Sequence, residues 1–176
     1  SSMQHIFLAL TPLDPQMTGF MITGNSQTDF FGISVSTAGD IDKDGYDDII
    51  VGCHGRNNFQ GEAYVIYGKE KSSMSNIDFS YTTLEPHSTG FKIRGQGPGN
   101  LGISVSTAGD IDKDGYSDII VGASGGSLSQ KGAAYVIYGG EKSSMSNIDF
   151  TSTILNPLTS GFFIAAAETE LLGFSV

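Results

Sequence analysis

The stretch GDIDKDGYDDIIVG at residues 39–52 returns with one change as GDIDKDGYSDIIVG at residues 109–122. Each copy crowds carboxylates into a short segment and then runs directly into the apolar sequence Ile-Ile-Val. Carboxylates this close together repel one another unless a positive charge lies between them. The stretch therefore predicts a loop built around a cation and followed by a buried strand.

This stretch belongs to a repeat with a period of about 71 residues. The sequence SSMSNIDF occurs at residues 72–79 and again at 143–150. A second landmark, FGISV at 31–35, recurs as LGISV at 101–105 and as LGFSV at 172–176. Self-similarity at a fixed period indicates a propeller, a solenoid or another array of like units. The chain therefore contains two full units and part of a third.

Each unit has the pattern of four short strands. Residues 31–38 alternate apolar and polar side chains, whereas 48–52 and 62–68 are continuous apolar runs. Residues 91–94 alternate apolar side chains with Lys and Arg, which suits a half-exposed edge strand. The polar connection at 69–89 is compatible with a short helical turn or with an extra strand. No segment keeps the 3.6-residue period of a helix over a helical length.

Four short strands in a repeat of this length predict an all-β fold, a β-propeller built from blades of four antiparallel strands. Neighbouring blades would cover both faces of each sheet, which explains the continuous apolar runs. A β-solenoid is the alternative, although its coils are usually shorter and have fewer strands. We expect two complete blades with parts of their neighbours, an excerpt of a longer propeller or array. The predicted segments are 1–30, the outer strand and connection of a preceding blade; 31–95, a first blade with its acidic loop at 40–48; 101–165, a second blade with its loop at 110–118; and 166–176, the start of a third blade.

The two acidic loops offer oxygen ligands at regular intervals. Counted from the first Asp, side-chain oxygens fall at positions one, three, five and nine, and position seven can offer its backbone carbonyl. Oxygen ligands in this number suit Ca²⁺ better than Mg²⁺, and a loop without His or Cys disfavours Zn²⁺. We therefore predict two calcium sites, one in each complete repeat. The predicted ligands are Asp40, Asp42, Asp44, the carbonyl of Tyr46 and Asp48 in the first loop, and Asp110, Asp112, Asp114, the carbonyl of Tyr116 and Asp118 in the second.

Differences between the two loops indicate which of the acidic residues are not metal ligands. Position eight is Asp47 in the first loop and Ser117 in the second, so Asp47 is excluded as a ligand. An EF-hand would require Glu at position twelve between two helices, but Val51 holds that position in a predicted strand, so we predict a calcium loop inside a β-hairpin. The alternative, Asx-turns without a metal, would leave four carboxylates with no counter-ion. All the predicted ligands are local, which favours a structural role for the ion.

The composition excludes several classes of protein. The 176 residues contain 9 Lys and Arg against 19 Asp and Glu, a net charge of −10, which argues against a nucleic-acid partner. The longest apolar run, residues 162–167, is too short to span a bilayer, so we predict no transmembrane segment in this chain. Cys53 is the only cysteine and Ala123 replaces it in the second copy, which predicts a small buried side chain rather than a reactive thiol.

Several of these features resemble a known repeat. Phe31-Gly32, the Asp loop and Gly52-Cys53-His54-Gly55 resemble the FG-GAP repeat of integrin α-subunit propellers and, more closely, the FG-GAP arrays of bacterial and protist surface proteins. The second copy has Leu101-Gly102, its loop and Gly122-Ala123-Ser124-Gly125, and the third begins at Leu172-Gly173. Leu replaces the aromatic residue of the FG pair in two copies, and the Pro that follows Gly-Ala in the family is absent. The resemblance implies a seven-bladed propeller, with calcium loops on the face away from the usual ligand surface.

The resemblance and the loops together predict a non-catalytic, calcium-binding module for adhesion or protein recognition, extracellular or on the cell surface. Its partners would be other proteins, or copies of itself that associate through blade–blade packing. The near identity of the two copies leaves a second function open, a structural repeat of a surface filament or extracellular polymer. We do not expect an enzyme, because these residues contain no nucleophile elbow and no phosphate-cradling loop.

Overall fold

The computed structural model describes residues 13–125, 132–166 and 172–176, which form short strands joined by turns. The strands in chain order are β1 (Ile22–Thr23), β2 (Ser34–Gly39), β3 (Asp48–Cys53), β4 (Glu62–Ile66), β5 (Ile77–Asp78), β6 (Gly90–Arg94), β7 (Leu101–Gly109), β8 (Asp118–Ala123), β9 (Ala133–Ile137), β10 (Ile148–Asp149) and β11 (Gly161–Ala165). The helical segments are 3-10 turns at Gln27–Asp29, Lys71–Ser73 and Lys142–Ser144, and one four-residue turn, α1, at Arg56–Phe59.

Two antiparallel meanders form the body of the molecule. The first has the order β2-β3-β4-β6 and the second the order β7-β8-β9-β11. In the first sheet Val35 pairs with Val51, and Val51 pairs with Tyr64. The corresponding residues of the second sheet pair in the same register. The prediction of an all-β fold built from four-stranded antiparallel blades is confirmed.

The two sheets face each other across a shared apolar core. Ile50 and Val65 of the first sheet and Val105 and Val121 of the second are buried in this core. Val35, the counterpart of Val105, lies on the outward face of the first sheet and is 65% exposed, against 7% for Val105. Each sheet therefore has two apolar faces, and burial of both requires a neighbour on each side.

The connection between the third and fourth strands contains both a 3-10 turn and a short strand, the two possibilities that the sequence left open. The short strand does not join its own sheet, because β5 pairs in parallel with β1, and β10 with β6, the outer strand of the preceding unit. Asn147 Oδ1 also accepts the N–H of Lys92 at 2.9 Å, and Asn76 Oδ1 accepts the N–H of Met21 at 2.8 Å. The half-exposed edge predicted for β6 is thus partly covered by the next unit.

A hydrogen bond of the same kind joins the units at both junctions. Ser34 Oγ donates to the carbonyl of Gly102 at 2.9 Å, and Ser104 Oγ donates to the carbonyl of Gly173 at 2.9 Å. The backbones approach closely there, since a methyl group at Gly52 would lie 2.0 Å from the carbonyl oxygen of Gly102. Gly173 thus holds, at the second junction, the place that Gly102 holds at the first.

Two of the predicted segments are described only in part. Residues 1–12 of the segment 1–30 and residues 167–171 of the segment 166–176 lie outside the described residues. Within the described part of the chain, no helix is long and apolar enough to cross a membrane.

Candidate metal centre

The first acidic loop connects β2 to β3 and is built from nested hydrogen bonds. Asp40 accepts the N–H groups of Asp44 and Gly45 at 3.0 and 2.9 Å, one on each carboxylate oxygen. Asp42 Oδ1 accepts the N–H of Asp44 at 3.2 Å, and Asp44 Oδ1 accepts the N–H of Tyr46 at 3.0 Å. Gly45 has a φ of 92°, a conformation that favours glycine. These bonds wind the loop tightly and bring alternate side chains close together.

The second loop, between β7 and β8, repeats this network. Asp110 accepts the N–H groups of Asp114 and Gly115, both at 3.1 Å. Asp112 Oδ1 accepts the N–H of Asp114 at 3.2 Å, and Asp114 Oδ1 accepts the N–H of Tyr116 at 2.9 Å. Two copies with the same network and nearly the same sequence indicate that local side-chain-to-backbone bonds determine the loop conformation.

The Asp at position nine closes each loop onto its own sheet. Asp48 Oδ2 accepts the N–H of Ile41 at 2.8 Å, and Oδ1 accepts the N–H of Gly68 at 2.7 Å, just beyond β4. Asp118 makes the two equivalent bonds in the second repeat, at 2.7 and 2.9 Å. Burial raises the pKa of Asp48 to about 7, although the two backbone hydrogen bonds act to lower it. The nearby carboxylates of the loop raise this pKa further. Burial also raises the pKa of Asp118.

Both loops bring oxygens from three carboxylates within 4.8 Å of one another. The compact groups are Asp40, Asp42 and Asp48 in the first loop, and Asp110, Asp112 and Asp114 in the second. Asp44 and Asp118 lie outside these groups, as does Asp47, which the sequence comparison excluded. The structure thus places six of the eight predicted Asp ligands in two compact groups.

One carboxylate oxygen of the first group is buried and accepts no hydrogen bond. Asp42 is 7% exposed, and its Oδ2 accepts no hydrogen bond. Lys142 Nζ lies 2.7 Å from this oxygen, in an ion pair without hydrogen-bond geometry, and 3.0 Å from Asp44 Oδ2. A buried carboxylate oxygen without a hydrogen bond is costly unless a cation compensates its charge, as the Lys142 ammonium does here. The donor set is entirely hard oxygen, so the residues present fit a divalent ion such as Ca²⁺.

The sequence did not predict that Lys142 belongs to this site. Lys142 begins a 3-10 turn of the second unit, and its ammonium lies 4.7 Å from the centre of the Tyr67 ring. Partial burial disfavours its charge, but Asp42 and Asp44 outweigh that effect and raise the pKa of the ammonium. Lys142 and Asp44 are 98 positions apart, and the recurring Lys-Ser-Ser is the only trace of the contact in the sequence.

The two loops differ in what covers them. Ile41 in the first loop is 0% exposed, whereas Ile111 in the second is 52% exposed. The second unit covers the first loop, because the N–H of Ser117 donates to the carbonyl of Asp40, and the N–H of Gly140 donates to the carbonyl of Ile41, each at 3.0 Å. The first loop is therefore part of the junction between the two units.

A comparison with protein families matches residues 31–66 and 101–137 to the FG-GAP repeat. These two segments are FG-GAP repeats. Each match begins at the Phe-Gly or Leu-Gly pair and ends in the third strand of a blade, so that each FG-GAP repeat encloses one acidic loop. The resemblance to the FG-GAP repeat that was inferred from the sequence is confirmed.

Regions of integrin α subunits are similar to this chain. Integrin alpha-IIb from Homo sapiens is 33% identical over 124 residues, which are 68% of this chain and 11% of that protein. Integrin alpha pat-2 from Caenorhabditis elegans is 36% identical over 115 residues, 62% of this chain and 9% of that protein. Phosphatidylinositol-glycan-specific phospholipase D from Rattus norvegicus is 30% identical over 151 residues, 72% of this chain and 17% of that protein. The chain spans about a tenth of the length of the integrin subunits.

The first blade carries a buried charge cluster whose central residue, Glu62, is replaced by Ala133 in the second blade. Glu62 is 1% exposed and pairs across strands with Arg94, whose Nε lies 3.1 Å from Glu62 Oε1. Arg56 Nε lies 3.6 Å from the other carboxylate oxygen. In the second blade, Ala133 pairs with Ala165 at the same place. Because the second blade forms the same sheet with two alanines at this place, a blade does not require the charges.

Removal of one member of this pair is expected to cost more than removal of both. Arg94→Ala should lower the free energy of unfolding by about 2 kcal/mol, less than for a fully buried pair because Arg94 is partly exposed. The double variant Glu62→Ala/Arg94→Ala, which copies the Ala133–Ala165 pair, should recover at least half of that loss. Urea unfolding of wild type, both single variants and the double variant measures the coupling free energy. Strictly additive losses would contradict the pairing.

Cys53 is buried in the first FG-GAP repeat, as the sequence predicted. Its side chain is 2% exposed, and its thiol donates to the carbonyl of Asp29 at 3.2 Å. Burial raises the pKa of the Cys53 thiol to about 12, and the nearby carboxylates add to this. Very little thiolate is present at neutral pH, so Cys53 acts as a packing residue.

Proposed function

We propose that the chain is a non-catalytic, calcium-binding β-propeller repeat module for adhesion or protein recognition outside the cell. The observation that carries the proposal is the pair of compact carboxylate groups, one in the loop of each FG-GAP repeat. The similarity to integrin α subunits supports a cell-surface setting with protein partners. As unit boundaries we propose 31–95 and 101–165, with 1–30 and 166–176 belonging to neighbouring blades.

Each loop would hold one Ca²⁺ through four carboxylates and one backbone carbonyl. The Asp residues at positions three and five bind backbone N–H groups with Oδ1 and leave Oδ2 free of backbone bonds. The Asp at position nine uses both oxygens for backbone bonds, but a carboxylate has further lone pairs for a metal. The proposed ligands are Asp40, Asp42, Asp44, the Tyr46 carbonyl and Asp48 in the first loop, and Asp110, Asp112, Asp114, the Tyr116 carbonyl and Asp118 in the second.

The ion would stabilise the hairpin and, at the first loop, the junction between blades. The loop joins the two inner strands of one sheet, and its backbone also binds Ser117 and Gly140 of the next blade. Metal binding would therefore be coupled to folding. Extracellular calcium modules typically have dissociation constants of about 10⁻⁴–10⁻³ M, so such sites are filled outside cells and empty in the cytosol.

The proposed ligand set supports a structural ion rather than a catalytic one. All candidate ligands of a site come from a single loop, and neither loop contains His or Cys. The rat protein named above is a phospholipase, but the chain spans only 17% of it. We therefore assign no reaction to these residues.

Calcium titration of the chain by isothermal calorimetry tests the proposal. Wild type should bind two Ca²⁺ per chain. Asp112→Asn should weaken binding at the second loop at least about tenfold, because Asn keeps the Oδ1 acceptor but loses the charge that a hard cation requires. Asp47→Asn removes the same charge from position eight of the other loop and should leave both sites intact. A wild-type chain that takes up no calcium would refute the assignment.

A structural repeat of a surface filament or extracellular polymer is the second candidate. The equivalence of the two junctions favours it, because Ser34 and Ser104 make the same bond to Gly102 and Gly173. Equivalent junctions allow many units to be stacked in series. Electron micrographs of the native material separate the candidates, since fibres support the polymer and rings or compact particles support the recognition module.

A further inference from the structure

We propose that Lys142 is a competing cation at the first loop, where its ammonium weakens the binding of Ca²⁺. This inference rests on the calcium-binding function proposed above. It adds that a side chain of one blade determines how tightly the preceding blade holds its ion.

Lys142 and Ca²⁺ would compete for the carboxylate oxygens that accept no backbone N–H. Asp42 Oδ1 and Asp44 Oδ1 each accept a backbone N–H, at 3.2 and 3.0 Å. Asp42 Oδ2 and Asp44 Oδ2 accept no backbone N–H, and Lys142 Nζ lies 2.7 and 3.0 Å from these two atoms. An ammonium and a divalent cation that share the same two oxygens repel each other at close range. Calcium must therefore displace Lys142 or bind against its charge.

The second loop has no such competitor within the described ranges. Asp112 and Asp114 make the same backbone bonds through Oδ1, but neither carboxylate belongs to an ion pair between described residues. Lys43 reaches this loop at the Asp114 carbonyl, at 3.4 Å, and not at a carboxylate. Asp114 also belongs to the compact group of its loop, whereas Asp44, paired with Lys142, does not. Among the described residues, a lysine–carboxylate ion pair therefore occurs at the first loop alone.

Residues of the first blade hold Lys142 in position. The ring of Tyr67 lies 4.7 Å from its ammonium, a distance at which the ring face attracts a cation. His87 Nδ1 lies 3.0 Å from the Lys142 carbonyl. Lys142 therefore links the blades when calcium is scarce, and its ion pairs offset part of the repulsion in the loop.

Calcium titration in an Asp112→Asn background isolates the first loop. In the full chain with this background, Lys142→Gln should raise calcium affinity about three- to tenfold, the range expected when a partly exposed ion pair is lost. Lys142→Met keeps the hydrocarbon stem beside Tyr67 and should act in the same way. Lys71→Gln is the matched control, because Lys71 holds the same place in the preceding repeat and forms no ion pair among the described residues.

Thermal unfolding supplies a second readout. In a chelator, Lys142→Gln should lower the melting temperature, because the first loop loses the counter-charge that Lys142 supplies, and Lys71→Gln should not. In saturating calcium the difference in melting temperature between Lys142→Gln and wild type should be smaller than in the chelator. A lysine with only a packing role would lower stability in both buffers and leave calcium affinity unchanged.

The outcomes separate this inference from the proposed function. If wild type binds two ions and both Lys142 variants bind calcium no more tightly than their background, the competition is overturned and the calcium sites stand. If wild type binds no calcium, both proposals are overturned.

Discussion

The chain should resist unfolding far better in calcium than in a chelator. At about 10 mM free Ca²⁺, a site with a dissociation constant of about 10⁻⁴ M stabilises the folded state by about 2.7 kcal/mol. Two sites would contribute about 5 kcal/mol, equivalent to a rise in Tm of roughly 10–20 °C for a chain of this length. The effect is large because an unfolded loop cannot gather four carboxylates around one ion.

Circular dichroism melts in calcium, magnesium and chelator measure this effect. Magnesium requires near-octahedral geometry and retains water, so it should raise Tm far less than calcium. The double variant Asp42→Asn/Asp112→Asn changes one ligand in each loop and should melt alike in calcium and in chelator. Coincident wild-type curves in calcium and chelator would refute a calcium-dependent fold.

The second large effect is expected at the junction between the blades. Gly52→Ala should lower the free energy of unfolding by about 3 kcal/mol, because the new methyl would lie 2.0 Å from the Gly102 carbonyl oxygen and 2.2 Å from Ser34 Oγ. Gly52 has no positive φ, so the cost comes from the clash and not from local strain. The blades would have to separate, and the bond from Ser34 to Gly102 would be lost.

Gly140→Ala is the matched control for this substitution. Its methyl would lie 3.6 Å from Ser144 Oγ, an ordinary van der Waals distance, so the free energy of unfolding should change by less than about 0.5 kcal/mol. Gly122→Ala should behave like Gly52→Ala, because its methyl would lie 2.1 Å from the Gly173 carbonyl oxygen. Urea unfolding measures all three variants. If Gly52→Ala were as mild as Gly140→Ala, the close junction would be wrong.

Much of the fold could be predicted because its signals are local or periodic. Alternation at 31–38 and the apolar runs at 48–52 and 62–68 correspond to β2, β3 and β4. The parallel pairing of β5 and β10 with the preceding unit could not be predicted, because two residues carry no periodicity and their partners lie in another unit. Asn76 and Asn147 belong to the repeated sequence SSMSNIDF, but the repetition alone does not show which groups their side-chain amides bind.

Part of the candidate site could also be predicted from the sequence, and part could not. The grouping of Asp residues at odd positions was predictable, since a tight loop brings alternate side chains together, and the exchange of Asp47 for Ser117 left Asp47 out of the predicted ligands. The backbone N–H of Ser117 nevertheless binds the Asp40 carbonyl, a contact that every residue type except proline could make and that leaves no trace in the sequence. The role of Lys142 depends on how two blades are docked, which only the assembled structure shows.

The completion of one sheet by the next unit has a consequence for synthesis on the ribosome. The N–H of Lys92 is bound by Asn147, 55 residues further along the chain. At about 5–20 residues per second, translation supplies that partner roughly 3–11 s after Lys92 itself. The outer edge of β6 in a newly made blade therefore stays unpaired until the next unit has been synthesised. Crowded polysomes and slow codons after a blade would prolong the interval in which nascent chains can pair with one another.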